Sequence, residues 1–180
     1  MKTNHKMFIY NKQDEYYTPK ILVEPILKYL KPNSTIWCPF DTQSSEFVIL
    51  LEEAGHEVIY SHISHGVDFF NTLTVPCDYI ISNPPFTKKL EVFKSLYERD
   101  IPFAMLGGLP MLNYQEISNF FINKDLQLLI FNKKISFDGN PASFATAYFC
   151  KNILPKDLIF ENLKNTNAKQ YFIKSRMVLE

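Results

Sequence analysis

The segment DYIISNPPF, residues 78–86, places an amide, two prolines and an aromatic ring at the end of an apolar run. Two adjacent prolines cannot continue the hydrogen-bond ladder of a strand, so we expect a strand to stop at Asn83. Proline also disfavours the helical conformation of the residue before it, which keeps Asn83 extended. The sequence therefore predicts a rigid backbone segment at a strand end, which holds the Asn83 amide and the Phe86 ring in fixed positions.

A rigid amide at a strand end has the chemistry to bind an amino group. The side-chain oxygen of Asn83 and the main-chain carbonyl of Pro84 offer two hydrogen-bond acceptors that can converge on one point. An exocyclic NH2 group donates two hydrogens, and binding both turns the nitrogen lone pair away from the acceptors. Phe86 offers a ring face for stacking, and the prolines hold the arrangement in place. We therefore predict Asn83, Pro84, Pro85 and Phe86 as the catalytic set, against the alternative of an ordinary strand-ending turn.

The rest of the chain alternates predicted strands and helices. Thr18 is predicted to cap the first helix and Thr87 the third, and Gly107-Gly108 is predicted as the exit from a strand. Residues 151–180 are expected to pack as a terminal strand or helix. This alternation predicts an α/β domain with a mainly parallel sheet and helices on both faces, which binds ligands beyond the carboxyl ends of its strands. The predicted strands are 35–38, 57–61, 77–82, 101–106, 126–131 and 144–150, and the predicted helices are 20–30, 46–54, 88–99 and 115–123.

Length and composition limit the possible organisation and partners. The 180 residues, 46% of them hydrophobic, predict one domain over residues 1–180, with too short a tail after Cys150 for a separate target-recognition domain. The formal net charge is zero, so a nucleic-acid partner would have to be held by a local basic patch. The candidates for such a patch are Lys88, Lys89, Lys94, Lys133 and Lys134.

Cysteine and histidine spacing argues against a metal site and against disulfides. The three cysteines form no CxxC pair, and the histidines at positions 56, 62 and 65 lack the spacing of metal ligands on a helix. The sequence shows no signal peptide and no apolar run of the roughly 20 residues that cross a membrane. We therefore expect a cytoplasmic protein without a metal and without a membrane partner.

The motif residues resemble a known family. Asn83-Pro84-Pro85-Phe86 resembles the (D/N/S)-P-P-(Y/F/W) motif of amino-group methyltransferases that use S-adenosylmethionine, among which the adenine-N6 DNA enzymes are the best known. Tyr16-Tyr17-Thr18-Pro19 resembles the cofactor motif with a YxTP or FxTP core that precedes the first helix in these enzymes. Residues 137–150 look like the late loop and strand of phage-type adenine methyltransferases. The resemblance covers the chain from about Asp14 to about Cys150.

The resemblance implies a Rossmann-like class I methyltransferase fold and an enzyme that binds S-adenosyl-L-methionine. It implies methyl transfer to an exocyclic amino group, with N6 of adenine in DNA as the first expectation. RNA bases and protein glutamine side chains are the alternative acceptors. The residues that it places around the cofactor are Tyr16, Tyr17, Thr18, Pro39, Phe40, Asp41, His62, Asp68 and Phe69.

Two departures from the family pattern define the competing hypothesis. The first strand is followed by residues 39–45, PFDTQSS, which contain no glycine where the family has a glycine-rich turn. Ser61-His62 stands where an acidic residue usually holds the ribose hydroxyls. The alternative is thus a catalytically degenerate protein of this fold that binds nucleic acid or a protein partner, with Asp41 and Asp68 as ordinary loop residues. In either case target recognition would depend on loops, on a homodimer or on a separate specificity partner.

Overall fold

The computed structural model describes residues 17–73, 75–137 and 145–163. This part of the chain contains seven strands and four α-helices, which alternate over residues 20–60 and 79–131, and short 3-10 turns lie at residues 63–65, 86–88 and 109–113. The strands are β1 (Thr35–Cys38), β2 (Glu57–Tyr60), β3 (Tyr79–Ser82), β4 (Phe103–Gly108), β5 (Gln127–Phe131), β6 (Thr146–Lys151) and β7 (Leu158–Glu161), and the helices are α1 (Lys20–Leu27), α2 (Glu46–Glu53), α3 (Lys89–Arg99) and α4 (Gln115–Phe121).

The strands form one mainly parallel sheet in the order β2-β1-β3-β4-β6-β5-β7. Only β6 runs against its neighbours β4 and β5, while the other adjacent pairs are parallel. The chain passes from β1 outwards to β2 and then returns across β1 to β3. The topological switch point, where open α/β sheets bind their ligands, therefore lies between the carboxyl ends of β1 and β3.

Helices cover both faces of the sheet, as the sequence predicts. Alternate residues of a strand point to opposite faces, so Ala104 and Leu106 of β4 pack in one apolar cluster while Phe103 and Met105 pack in the other. Helices α1 and α2 bury their apolar residues in the first cluster, and α3 and α4 bury theirs in the second. None of the helices in the described ranges has both the length and the apolarity needed to cross a membrane.

Local signals identified the cap of helix α2 correctly, but they did not identify the cap residues of α1 and α3. Ser45 caps α2 by accepting a hydrogen bond from Phe47 N at 3.3 Å, and Gly55 ends it with a φ of 87°. The predicted capping by Thr18 and Thr87 is wrong: Pro19 and Lys88 are the residues at the N-caps of α1 and α3, and neither helix has a side-chain cap. Helix α1 ends at Leu27, three residues before the predicted end. Pro25, two residues earlier, has no backbone N–H to donate, which weakens this end of the helix.

In the second half of the sheet, Gly107 and Gly108 end β4 as predicted, and as the last two residues of the strand they pair with Ala147 and Thr146 of β6. The expected terminal element is a strand, β7, which extends the sheet beyond β5. These pairings join residues about 40 or 30 positions apart, and a local reading of the sequence carries little information about them.

Candidate functional site

Asp41 and Asn83 lie at the two strand ends that flank the switch point. Asp41 follows β1 by three residues, and its backbone N–H donates to the carbonyl of Ser61 at 3.1 Å, which fixes the loop after β1 against the end of β2. Asn83 follows directly after Ser82, the last residue of β3. The fold therefore brings together two sequence-predicted residues that are 42 positions apart in the chain.

The carboxylate of Asp41 is buried between two serine hydroxyls. The hydroxyl of Ser45, at the start of α2, donates to Oδ1, and the hydroxyl of Ser82 donates to Oδ2. Asp41 is only 7% exposed. Burial raises the pKa of the Asp41 carboxyl to about 6, while the two hydroxyl donors act in the opposite direction. Asp41 thus connects the loop after β1 to the strand end that carries Asn83.

The amide of Asn83 contacts the segment that precedes the first helix. Its Nδ2 atom donates to the hydroxyl of Thr18 at 3.2 Å. Thr18 is buried, and Pro84 beside Asn83 is buried as well, while Asn83 and Pro85 are half-buried. The two prolines take the chain out of β3 into the turn Phe86–Lys88, as expected from their inability to extend the ladder.

A group of aromatic rings lies on the α3–α4 face of the sheet. Phe69 is 2% exposed and packs against Phe40 and Trp37, with ring centroids 4.9 and 5.5 Å away. The guanidinium of Arg99, at the end of α3, lies 4.9 Å from the Phe69 ring centroid. The same guanidinium donates to the carbonyls of Phe69 and Thr72 at 3.0 and 2.7 Å. Phe40 and Phe69 are therefore brought together on the α3–α4 face of the sheet.

Asp68 and His62 both accept hydrogen bonds from residues of their own loops. The Oδ1 atom of Asp68 accepts from Phe70 N at 3.0 Å, and its Oδ2 accepts from the side chain of Asn71 at 2.9 Å, as in an Asx turn. His62 precedes the turn 63–65, and its Nδ1 accepts from the backbone of Ser64 at 3.2 Å. Both residues follow the end of β2 and remain predicted, not demonstrated, cofactor contacts.

For the other predicted site residues, the structure gives a position in the fold but no contact with Asp41 or Asn83. Tyr17 is 77% exposed, and Pro39 is buried directly after β1. Phe86 begins the turn that leads to α3. Tyr16 lies outside the described residues, as do positions 138–144, which include most of the predicted late loop.

The residues that connect the site were not found from the sequence. The sequence offers Ser45 only as one of two serines, with Ser44, that could open the helix at 46–54, and it offers Ser82 only as the last residue of the strand at 77–82. Arg99 gave no signal, because its partners precede it by 27 and 30 positions in an irregular loop. The adjacency of Ser82 to Asn83 was the one usable clue to a role at the site.

Four of the five predicted basic residues lie at the same edge as Asn83. Lys88 and Lys89 follow β3, and Lys133 and Lys134 follow β5, whose carboxyl end lies at the same edge of the sheet. Lys94 lies further along α3 and is exposed. Over residues 17–73, 75–137 and 145–163, no three His, Cys, Asp or Glu side chains are grouped so that they could hold a metal ion.

The fold is that of class I methyltransferases. The structure resembles a modification subunit of a putative type I restriction enzyme from Vibrio vulnificus, with a TM-score of 0.57 and 13% identity over 88% of this chain. It also resembles a putative class I S-adenosylmethionine-dependent methyltransferase from Listeria monocytogenes, with a TM-score of 0.50 and 13% identity; the match covers 95% of this chain and 72% of that protein. The chain spans about half of the Vibrio subunit, 49% of its length.

Sequence comparison adds no assignment, since no protein-family model and no curated protein sequence matches the chain. At 13% identity the structural likeness concerns the fold, and it confirms the predicted α/β architecture with a mainly parallel sheet.

Proposed function

We propose that the protein is an S-adenosyl-L-methionine-dependent methyltransferase that modifies an exocyclic amino group, with N6 of adenine in DNA as its acceptor. The proposal combines the fold with the arrangement of residues at the switch point. Asp41 and the loop after β1 would hold the cofactor, and Asn83 with the Pro84 carbonyl would hold the amino group. Phe86 would stack on the acceptor base.

One observation carries the cofactor assignment: Asp41 is a buried carboxylate at the switch point without a cationic partner among the described residues. The groups that influence its pKa are its burial and two neutral hydroxyls. Burying a carboxylate is costly unless a cation or several donors compensate for the lost water. The ammonium of the methionine part of S-adenosylmethionine would supply the positive charge and the hydrogen-bond donors that the Asp41 carboxylate lacks. The residues present therefore fit this cofactor.

The bound cofactor supplies a methyl group on a sulfonium, which an amine nitrogen accepts as the carbon–sulfur bond breaks and a proton leaves the nitrogen. The chain contributes mainly by alignment. Asn83 Oδ1 and the Pro84 carbonyl would accept the two amino hydrogens and would direct the nitrogen lone pair away from these two acceptors. The hydrogen bond from Ser82 to Asp41 keeps this acceptor site in a fixed position relative to the cofactor loop.

Duplex DNA is the first acceptor to test. The motif at residues 83–86 resembles that of the adenine-N6 enzymes, and the Vibrio protein of similar fold is named as a modification subunit of a restriction enzyme. The lysines at the carboxyl edge of the sheet would face the phosphates of a nucleic acid bound at the switch point. The Vibrio protein is named as a subunit, which agrees with the separate specificity partner expected from the sequence.

A binding protein without catalysis is the second candidate, because the loop after β1 departs from the family pattern. The loop lacks glycine, and Phe40 within it packs on Phe69 at 4.9 Å. Both oxygens of Asp41 already accept hydroxyl hydrogens. Calorimetric titration with S-adenosylmethionine and S-adenosylhomocysteine separates the two candidates: micromolar binding supports the enzyme, and no binding up to millimolar cofactor, with or without DNA, supports the second candidate.

The acceptor role is tested by replacing Asn83. We expect Asn83→Ala to abolish methyl transfer to duplex DNA containing adenine and to leave the affinity for S-adenosylhomocysteine within severalfold, because the amide would touch the acceptor and not the cofactor. The assay follows transfer of a radiolabelled methyl group, with single-stranded DNA, RNA and a glutamine peptide as alternative acceptors. Asn123→Ala, at an exposed position after α4, is the matched control and should retain full activity. Equal turnover by Asn83→Ala and the wild type would refute the assigned role.

A further inference from the structure

One buried hydroxyl at the carboxyl edge of the sheet lacks a hydrogen-bond partner within the part of the chain that the structure describes. It belongs to Thr146, the first residue of β6, which is only 2% exposed. A buried hydroxyl has lost its water, so leaving it unpaired costs free energy, and folded proteins contain few such atoms. A ligand that supplies the missing hydrogen bond would explain why the hydroxyl is kept.

The sheet topology places this hydroxyl at the same edge as Asn83. Strand β6 runs antiparallel to β4, so its first residue lies beside the last residue of β4, and Thr146 pairs with Gly108. Asn83 directly follows β3, which runs parallel to β4. Both residues therefore lie at the carboxyl edge, and β4 is the strand between them.

The side chains of Thr146 and Asn83 also lie on the same face of the sheet. Alternate residues of a strand point to the same face. Tyr148 of β6 packs in the apolar cluster on the α1–α2 face, so Thr146 points to that face as well. Ile81 of β3 packs in the same cluster, and Asn83, two residues later, contacts Thr18 just before α1. The unpaired hydroxyl and the amide thus flank the same region beyond the end of β4.

The distance across this region suits a nucleobase. Adjacent strands lie about 5 Å apart, so the backbones of β3 and β6 are about 10 Å apart across β4. Gly108, the residue of β4 that pairs with Thr146, has no side chain to occupy this span. A planar base with a hydrogen bond of about 3 Å at each of two atoms can therefore contact both side chains.

Thr146 lies on the acceptor side of the proposed site. Asp41, the proposed cofactor residue, follows β1, and β1 pairs with β3 on the side away from β4. Asn83 is therefore between the cofactor loop and Thr146. A group that binds Asn83 and Thr146 together extends away from the cofactor, as the acceptor must.

We propose that the hydroxyl of Thr146 donates a hydrogen bond to a ring nitrogen of the acceptor base whose amino group is held by Asn83. In adenine, the ring nitrogens N1 and N7 lie on either side of the amino group, and both accept hydrogen bonds. Contacts at two separate atoms fix the base within its plane and direct the amino nitrogen at the methyl group. This inference rests on the proposed function and makes Thr146 a direct contact of the acceptor.

Kinetics of two Thr146 variants test the contact. Thr146→Val keeps the shape but removes the hydroxyl, so we expect kcat/KM for adenine-containing duplex DNA to fall by about tenfold. Thr146→Ser keeps the hydroxyl and should stay within about threefold of the wild type. The dissociation constant for S-adenosylhomocysteine should change by less than about twofold in both variants. Thr35→Val, whose hydroxyl donates to Glu57 at the amino edge, is the matched control and should retain full activity.

Base analogues test which atom the hydroxyl meets. Duplexes containing 1-deazaadenine or 7-deazaadenine lack one ring nitrogen each and keep the amino group. The wild type should lose about tenfold in kcat/KM on one of the two analogues, and Thr146→Val should lose little on the same analogue, because its contact is already absent. If the wild type and Thr146→Val respond equally to both analogues, the hydroxyl does not contact a ring nitrogen and the proposal is wrong.

The stability of the protein without ligands tests the starting observation. Removing an unpaired buried hydroxyl should raise the urea midpoint of Thr146→Val by about 0.5 M or more. Thr35→Val loses a hydrogen bond and should show no such gain. A lower midpoint in Thr146→Val would mean that the hydroxyl has a partner in the folded protein, which would overturn the proposal.

Failure of the proposed function is distinguishable from failure of this inference. If no acceptor is methylated, the proposed function fails, and the contact is decided by affinity for single-stranded DNA that contains adenine, measured by fluorescence anisotropy. Thr146→Val should then bind this DNA about tenfold more weakly than the wild type. Equal affinities of the two proteins would refute the contact.

Discussion

At the residue scale, Asp41 is the group in the site whose burial costs the most free energy. Two hydroxyls compensate only part of the cost of burying its carboxylate, and the pKa of the group rises to about 6 as a result. Natural proteins retain such groups at functional sites, where a ligand supplies the missing interaction. Stability and cofactor binding should therefore respond in opposite directions when Asp41 loses its charge.

Replacing Asp41 with asparagine tests this opposition. Because the pKa in the folded protein exceeds the ordinary value of 3.8, the folded chain binds the proton more tightly than the unfolded chain. The stabilisation from protonation is complete below pH 4 and is lost as the pH rises through about 6. A shift of about two pKa units corresponds to about 3 kcal/mol. We expect Asp41→Asn to unfold at higher urea concentration than the wild type at pH 8, and the difference to shrink towards pH 4.

The same variant should bind S-adenosylhomocysteine at least about tenfold more weakly, because it lacks the charge that pairs with the ammonium. Urea denaturation at several pH values and calorimetric titration give the two results. Asp157→Asn, at an exposed position before β7, is the control for a carboxylate outside the site. A destabilisation of Asp41→Asn that is the same at every pH would contradict the role assigned to burial.

At the element scale, helix α3 organises the loop that follows β2. Arg99, in the last turn of α3, donates to the carbonyls of Phe69, Thr72 and Leu73 at 3.0, 2.7 and 3.2 Å. Burial lowers the pKa of the Arg99 guanidinium, but its neighbouring carbonyl acceptors favour a planar cation with several donors. The position of the Phe69 ring therefore depends on a residue of a different element.

Arg99→Lys tests this dependence. A lysine keeps the charge but cannot bond three carbonyls in a fixed plane, so we expect a loss of about 1–3 kcal/mol in unfolding free energy. Backbone amides of Asn71 and Thr72, which donate to Asp68 O in the wild type, should exchange faster with deuterium. Lys94→Ala, at an exposed position of the same helix, should change neither quantity. If the exchange rates at Asn71 and Thr72 are unchanged in Arg99→Lys, the conformation of this loop does not depend on Arg99.

Local sequence signals determined the elements better than their ends. The Ser45 cap and the Gly55 stop define α2 because both act within one turn of the helix. Thr18 has an equally good capping sequence, but its hydroxyl is used by Asn83, 65 positions away. Gly107 and Gly108 end β4 as predicted, but their pairing with the antiparallel strand β6 carries the strand two residues beyond the predicted end at residue 106. In each case a distant residue overrides a local preference.

The candidate site was predictable where one short segment carries the chemistry. The amide, the prolines and the aromatic ring of residues 83–86 are adjacent, so their strand-end position followed from proline geometry alone. The hydrogen bonds of Asn83 and Asp41 come from Thr18, Ser45 and Ser82, which lie in three separate segments of the chain. Their proximity follows from the order of strands in the sheet, which the pattern of apolar residues does not specify.

At the scale of the whole molecule, the distribution of charge matters more than its sum. The formal net charge is zero, so a polyanion gains little from the overall field of the protein. The carboxyl edge of the sheet carries Lys88, Lys89, Lys133 and Lys134, and this edge contains the switch point. If DNA is the acceptor, its affinity should depend on these four residues and not on lysines elsewhere.

The salt dependence of DNA binding tests the predicted orientation of the molecule. Each phosphate contact contributes about −0.9 to the slope of log K against log salt, so four edge lysines limit their part of the slope to about −4. We expect the pair Lys133→Gln and Lys134→Gln to weaken binding and to reduce the slope by about 2, measured by fluorescence anisotropy between about 50 and 200 mM salt. The pair Lys31→Gln and Lys156→Gln removes the same charge from the exposed amino edge and should leave the slope unchanged. If both pairs changed the affinity and the salt slope equally, DNA would be attracted by positive charge in general. The prediction that the switch point faces the nucleic acid would then be refuted.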